Sequence, residues 1–338
     1  MGYGATILDA EGTRLTADEK AFFRDADPFG FILFARNLES ADQIRALCSE
    51  MRDAVGREAL ISIDQEGGRV QRLRPPLARD WNAPLDDAIA AGAAGPEAAA
   101  RALYIRYRLI AHELRGFGID SNCAPLIDVA RPDTHPFLRN RCYGTDPQTV
   151  ANIGRNVAQA HLDGGVVPIV KHIPGHGAAI NDSHYDLPRV AHSRETLQEI
   201  DFAPFHALND FPLGMTAHVV YESYDLSPAT LSPVMMQIVR EKIGFDGLIM
   251  TDDISMKALS GDLGQLSRDA IAAGCDVILH CNGTLDERRV VAEAAGRMPK
   301  GAQERAERAI AARKTPDEID IAALDAELEA LLKGAGDD

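Results

Sequence analysis

The chain has 338 residues, of which 46% are hydrophobic and 25% are charged, and its formal net charge at pH 7 is −16. This composition is ordinary for a globular protein. The negative charge argues against a nucleic-acid partner and against an anionic membrane surface, because either would require a basic patch on the protein. The chain also lacks a stretch of roughly 20 apolar residues, the length needed to span a membrane.

The N-terminus and the cysteines indicate the cellular compartment. The opening stretch MGYGATILDAEG has neither the basic region nor the apolar core of a signal peptide. The five cysteines form no CxxC pair, and their odd number does not suit a framework of disulfides. We therefore expect a cytoplasmic protein, because a reducing compartment keeps cysteines free.

Eight short apolar runs have the length and residue types of buried strands. They lie at residues 5–8, 31–34, 60–63, 119–123, 167–170, 213–216, 248–250 and 277–279. Helical patterns separate most of them, for example at 41–55, 97–115, 148–163, 194–208, 233–242 and 265–273. Strands that alternate with helices predict parallel pairing and right-handed crossovers.

The fold class predicted by this alternation is α/β, as a single (β/α)8 barrel of the TIM type with a C-terminal helical extension. A doubly wound open sheet is the alternative, but no GxGxxG motif follows the first strand. We expect one catalytic barrel domain over residues 1–338, in which about residues 298–338 form a helical cap and tail. A segment at 81–85 is predicted to be a loop.

Polar residues follow the predicted strands at their ends, which favours the barrel over the open sheet. In a barrel these positions meet at one face, where the loops that follow the strands build the active site. An open sheet would spread them along an edge. The residues at these strand ends are Asp64, Asp128, Lys171, His172, His218, Asp252, Asp253 and Asn282.

The stretch VVPIVKHIPGHGAAINDSHYDL, residues 166–187, is the strongest candidate for an active site. Lys171 and His172 follow its strand, and a Gly/Pro-rich loop then carries three further polar residues. Asp182 and His184 lie two residues apart, so the carboxylate can orient the imidazole as an acid/base pair. An Asx-turn beside an unrelated surface histidine is the equally open alternative.

A zinc site is the main rival for the same stretch. Its nitrogen and oxygen ligands would be His172, His176, Asp182 and His184. The spacing of these residues does not match a helix-borne HExxH motif, and Lys171 beside them would repel a cation. We therefore expect neither a metal nor any other cofactor.

The pair Asp252 and Asp253 follows the seventh predicted strand. Because strand side chains alternate, one carboxylate should face the barrel mouth and the other should face away. We expect Asp253 to cap a following helix, which leaves Asp252 free for chemistry.

The motif DQEGGRVQR after the third strand suits a ligand rich in hydroxyl groups. Its two glycines let the backbone approach a ligand, and carboxylates and guanidinium groups bind hydroxyls directionally. The alternative is a structural ion pair, which is more plausible for Glu66 with Arg69 than for Asp64 with Arg72. Arg141 is a weaker candidate, because a lone loop arginine is usually solvated.

Four motifs together resemble the bacterial β-N-acetylglucosaminidases of glycoside hydrolase family three. They are DQEGGRVQR (64–72), KHIPGHG (171–177), DSH (182–184) and TDDISM (251–256), and the likeness extends over most of the chain. The resemblance implies a (β/α)8 barrel and a retaining hydrolysis of terminal β-linked N-acetylglucosamine. Related β-glucosidases usually carry a second α/β domain that contributes a glutamate acid. We expect no such domain here, because the chain ends soon after its predicted barrel.

Residue roles follow from the resemblance. Asp252 matches the nucleophile, His184 the acid/base and Asp182 the residue that orients His184. A histidine in this role departs from the usual pair of carboxyl groups about 5 Å apart. The sugar-binding positions match Asp64, Arg72, Arg141, Lys171 and His172.

The resemblance also implies a biological setting, the cytoplasmic recycling of cell-wall peptidoglycan, with a small muropeptide carbohydrate as substrate. We expect a monomer with no nucleic-acid, membrane or cofactor partner. A metal-dependent hydrolase and a non-catalytic sugar-binding barrel are the alternatives. Loss of activity when a chelator is added would indicate a metal-dependent hydrolase. Binding of the sugar without turnover would indicate a sugar-binding barrel.

Overall fold

The computed structural model describes residues 2–181 and 186–333. Within them, eight strands form one sheet in which each strand runs parallel to its neighbours. The strands are β1 Gly4–Leu8, β2 Pro28–Leu33, β3 Leu60–Ile63, β4 Ser121–Asn122, β5 Val167–Ile173, β6 Leu213–Thr216, β7 Leu248–Met250 and β8 Ile278–His280. Their spatial order is β7–β6–β5–β4–β3–β2–β1–β8.

The two end strands, β7 and β8, meet and close the sheet. Met250 forms a parallel bridge with Val277, and Thr251 N donates to Val277 O at 3.0 Å. The predicted (β/α)8 barrel is thereby confirmed, and the open doubly wound sheet is excluded. Each strand overlaps the run predicted for it, although β4 is shorter than its run and β5 continues three residues further.

Helices connect the strands and surround the barrel. They are Ala17–Ala26, Ala41–Val55, Pro84–Gly92, Pro96–Gly116, Pro136–Arg139, Pro147–Asp163, Arg194–Thr196, Ala203–Ala207, Pro233–Ile238, Leu263–Ala273, Leu285–Ala295, Lys300–Ala311 and Ile321–Lys333. Two π-helical segments, Leu197–Asp201 and Val239–Ile243, continue helical stretches that the sequence predicts as uninterrupted. The predicted loop at 81–85 is wrong at its end, because a helix already begins at Pro84, a residue suited to the first helical turn.

Local sequence explains where these elements begin and what they bury. Ser40 and Asp146 accept hydrogen bonds from the first turns of their helices, which satisfies backbone N–H groups that have no partner in the helix. The barrel strands are buried along their whole length. Their apolar side chains pack against the surrounding helices in one continuous core.

The last helix, Ile321–Lys333, packs against Pro84–Gly92 and Pro96–Gly116. Arg101 holds it with two hydrogen bonds to Glu327, at 2.7 and 2.8 Å. That residues 298–338 belong to a single catalytic domain stays a prediction.

No helix of the described segments is long and apolar enough to cross a membrane. The five cysteines are buried and free.

Candidate active site

One cavity at the carboxyl ends of the strands gathers the described site residues predicted from the sequence. Asp64 follows β3, Lys171 and His172 belong to β5, and Asp252 follows β7; loops add further side chains. The predicted residues that line the cavity are Asp64, Arg72, Arg141, Lys171, His172 and Asp252. Two other predicted residues, Asp182 and His184, lie outside the described residues.

Asp64 is held between two cations. Arg72 Nη2 donates to one of its oxygens at 2.9 Å, and Lys171 Nζ donates to the other at 3.2 Å. Burial alone would raise the pKa of Asp64, but Lys171 and Arg72 outweigh it and hold that pKa well below its usual range. The expectation that Asp64 and Arg72 are less suited to an ion pair is therefore wrong. The carboxylate is ionised and oriented.

Glu66 forms a second, more deeply buried ion cluster behind the first. Arg141 binds its two oxygens through Nε and Nη2, both at 2.8 Å, and Lys171 Nζ lies 2.6 Å from Oε1. The alternative pair of Glu66 with Arg69 does not form; the exposed Arg69 lies 4.8 Å over the ring of Phe137. Arg141 is not solvated as a lone loop arginine would be, because Glu66 anchors it inside the protein.

His172 is oriented by the carboxylate of Asp128, a residue expected at the barrel mouth but not among the residues assigned a role there. Lys171 and His172 are joined by a cis peptide bond, and both line the cavity. His172 Nδ1 donates to Asp128 at 2.8 Å, and the backbone N–H of His176 donates to the other oxygen at 2.6 Å. Burial opposes ionisation of Asp128, but His172 outweighs it and lowers the pKa.

Asp252 is the carboxylate best placed for chemistry at this cavity. Its Oδ1 accepts from the backbone N–H of Asp253 at 2.8 Å. Burial raises the pKa of Asp252, but nearby His172 and His218 outweigh burial and lower it below the usual value. Asp252 is therefore ionised at neutral pH despite its burial.

Asp253 differs from the prediction made for it. It does line the cavity, and no helix follows it directly; the next helix begins at Leu263 and is capped by Asp262. The carboxylate of Asp253 instead accepts from the backbone N–H groups of Ser255 at 3.0 Å and Cys281 at 3.2 Å. Burial raises its pKa to about 6. Its role is to fix the turn after β7.

Two further histidines lie near Asp252 in different environments. His218 is 1% exposed, and its ring nitrogens pair with Thr230 Oγ1 at 2.7 Å and with Asp253 O at 3.0 Å. Both ring nitrogens of this buried histidine are therefore paired. His176 lines the cavity, and burial lowers its pKa to about 4, which keeps the ring neutral.

The described residues contain no group of three or more His, Cys, Asp or Glu side chains arranged to hold a metal ion. Of the four ligands of the alternative zinc site, His172 is instead engaged with Asp128. Asp182 and His184 lie outside the described residues.

Glu66 and Asp128 are the residues that sequence reasoning undervalued. Glu66 stands two positions after Asp64, the spacing that places side chains of an extended segment on the same side. This spacing was the available signal. For Asp128 the signal is its position just past the fourth predicted strand. Its partnership with His172 has no sequence signal, because the two residues are distant in sequence and meet only in the folded barrel.

Comparison with known proteins gives consistent results. Residues 7–313 match the family model described as glycosyl hydrolase family 3 N terminal domain. A β-hexosaminidase of Alkalilimnicola ehrlichii is 36% identical over 288 residues, covering 83% of this chain and 82% of that protein. The native crystal structure of NagZ from Neisseria gonorrhoeae gives a TM-score of 0.85 at 29% identity and covers 100% of this chain and 99% of its own. The same protein in complex with N-trifluoroacetyl-D-glucosamine gives 0.86 at 28% identity, with 99% of each chain covered.

Proposed function

Because the chain belongs to glycosyl hydrolase family 3, and is thus a glycoside hydrolase, we propose that it is a retaining exo-β-N-acetylglucosaminidase. It releases terminal, non-reducing β-linked N-acetylglucosamine. The β-hexosaminidase relative supports the reaction. The N-acylated glucosamine bound by the similar NagZ structure supports the choice of sugar.

The observation that carries this proposal is the ionised Asp252 that lines the cavity. A carboxylate attacks the anomeric carbon only in its charged form, and His172 and His218 favour that form. In our proposal Asp252 displaces the leaving sugar and forms a covalent glycosyl-enzyme intermediate. Water then cleaves this intermediate, and the two inversions together retain the configuration.

His184 is the proposed acid/base, with Asp182 orienting its ring. It protonates the leaving oxygen in the first step and removes a proton from water in the second, roles that suit a group with a pKa near neutrality. These assignments rest on the DSH motif, which lies outside the described residues.

The remaining cavity residues are proposed to bind the sugar. An ion network joins Asp64, Arg72 and Lys171. Arg141 is likewise bound to Glu66, and His172 is bound to Asp128. Side chains that are ordered in advance lose little conformational freedom when they bind hydroxyl groups. This supports a tight and directional sugar site.

The proposed biological role is the recycling of peptidoglycan fragments, with N-acetylglucosaminyl-anhydromuramyl peptides as substrates. We propose a monomeric enzyme that acts in the cytoplasm and requires no cofactor.

The deciding experiment compares the hydrolysis of nitrophenyl β-N-acetylglucosaminide with that of nitrophenyl β-glucoside, each with and without a chelator. We expect chelator-insensitive cleavage of the acetamido sugar alone. Preference for the plain glucoside would contradict the proposed substrate. Loss of activity to the chelator would favour the metal-dependent hydrolase, and binding without turnover would favour a sugar-binding barrel.

A further inference from the structure

Glu66 stands behind the cavity wall and touches two cations that form the wall. Its side chain is 1% exposed and is not among the residues that line the cavity. Its carboxylate receives both Nε and Nη2 of Arg141 at 2.8 Å, and Lys171 Nζ lies 2.6 Å away. Any effect of Glu66 on a bound sugar must therefore act through Lys171 and Arg141.

The fold holds Glu66 firmly through its backbone. Asn122 of β4 binds both backbone groups of the preceding residue, Gln65, at 3.0 and 3.1 Å. The carbonyl oxygen of Glu66 accepts from Arg106 Nη2 at 2.8 Å and from the hydroxyl of Tyr107 at 3.0 Å. Four buried hydrogen bonds thus fix the segment from which the carboxylate projects.

Charge explains why a carboxylate is needed at this point. Lys171 and Arg141 are both buried and carry like charges that repel each other. Asp64 accepts a hydrogen bond from Lys171 at 3.2 Å, whereas Arg141 forms its hydrogen bonds with Glu66 and not with Asp64. Glu66 is the carboxylate that both cations share. Without it, two buried cations would face each other with only one of them paired.

We propose that Glu66 is a positioning residue of the active site: it places Lys171 and Arg141 against the cavity and offsets the repulsion between these two cations. This inference rests on the proposed function, in which those two residues contact the sugar. Glu66 itself touches neither the sugar nor the reacting atoms.

A positioning role predicts a change in the titration of Lys171 that lost packing would not produce. The titratable groups that face Lys171 are Glu66, Asp64, Cys123, Arg141, Tyr107 and Asp252. Burial lowers the pKa of Lys171, but Glu66 and Asp64 outweigh burial and raise it. In Glu66→Gln one of these two carboxylates is gone while Arg141 remains, so Lys171 loses its proton at a lower pH.

The test measures the equilibrium binding of N-acetylglucosamine by calorimetry from pH 6 to 10, together with kcat and KM for the nitrophenyl substrate. In Glu66→Gln we expect Kd and KM to rise about 10- to 100-fold, the usual effect of losing a hydrogen bond to a charged group. We expect kcat to change much less. We also expect the alkaline loss of binding to begin at a lower pH in Glu66→Gln than in the wild type, because Lys171 has lost one of the two carboxylates that raise its pKa.

Asp120→Asn is the matched control. Asp120 is also 1% exposed in its side chain and also holds two arginines, Arg52 and Arg313, but it precedes β4 at the opposite end of the barrel. We expect this variant to lose stability while its Kd and its alkaline profile stay those of the wild type.

Two results would overturn the inference. One is a Glu66→Gln protein with wild-type Kd and alkaline profile; the other is an Asp120→Asn control that shows the same changes. If Glu66→Gln does not fold, Glu66→Asp replaces it. The retained charge should leave the alkaline profile as in the wild type, while the shorter side chain should still raise Kd. An unchanged Kd would refute the role. Wild-type protein that neither binds nor cleaves the acetamido sugar would instead refute the proposed function.

Discussion

Asp252 and Asp253 are neighbours whose environments move their pKa values in opposite directions. Burial raises both pKa values, but at Asp252 the electrostatic effect of His172 and His218 outweighs burial, so the pKa falls. At Asp253 burial prevails and the charge of Asp252 adds to it, which gives a pKa of about 6. In the proposed mechanism the charged carboxylate, Asp252, is the nucleophile, and Asp253 holds the turn beside it.

We predict that Asp252→Asn abolishes turnover, with a loss of kcat of at least about 10³-fold, because an amide cannot displace the leaving group. Binding of N-acetylglucosamine should persist, since Asn keeps the shape of the side chain. Steady-state kinetics and calorimetry test the two halves of this prediction. Near-normal activity would remove Asp252 from the mechanism.

Asp253→Asn serves as the control at the adjacent position. Its hydrogen bonds from Ser255 and Cys281 can still reach an amide oxygen, so we expect this variant to retain activity.

A slow fluorinated N-acetylglucosaminyl substrate should label the wild type by one sugar mass, on the peptide that contains Asp252. A label on another peptide would contradict the assignment.

At the scale of elements, the site depends on how a very short strand anchors a loop. β4 has only two residues, and one of them, Asn122, binds Gln65 N and O through its side chain. Its amide also donates to His161 Nε2 at 2.9 Å, while His161 Nδ1 donates to Val157 O at 2.8 Å. Strand, loop and helix are therefore joined by one buried side chain.

We predict that Asn122→Ala lowers the free energy of unfolding by about 1–3 kcal/mol, because it leaves buried backbone groups of Gln65 without partners. It should also raise KM, since the loop that carries Asp64 and Glu66 loses its anchor. Denaturant unfolding and steady-state kinetics are the measurements. The control is Asn156→Ala, since the amide group of Asn156 bonds only within its own helix; equal losses in both variants would argue against the anchoring role.

At the scale of the whole molecule, stability should depend on pH through groups buried in the core. His161 is fully buried, and burial lowers its pKa from 6.5 to about 4. Between these two pH values the unfolded chain binds more protons at this position than the folded chain. The free energy of unfolding therefore falls as the pH is lowered through this window.

We predict that protonation of the unfolded chain at His161 removes about 3 kcal/mol of stability between pH 6.5 and pH 4. Urea unfolding at a series of pH values measures this loss. In His161→Gln, which cannot titrate, the slope over this window should be smaller by up to one proton. An unchanged slope would show that His161 does not set it.

Much of the architecture could be predicted from local pattern. All eight strand runs were found because a strand buried on both faces reads as a continuous apolar run. The predicted boundaries are less accurate. Apolar pattern ends β5 before Lys171 and His172, which lie within it, and it predicts a loop where the helix from Pro84 begins. Pairing across the barrel extends a strand into polar residues that local pattern excludes.

The sequence by itself determined the alternation of strands and helices, the barrel and the identity of the strand-end residues that gather at its mouth. These follow from apolar periodicity and from polar residues at strand ends, both of which are local. Only the tertiary structure decided the partners: Glu66 with Arg141 and Lys171, and Asp128 with His172. Glu66 and Arg141 are 75 positions apart in the chain, and Asp128 and His172 are 44 positions apart. A charged group finds its partner by distance in the folded barrel rather than by spacing along the chain.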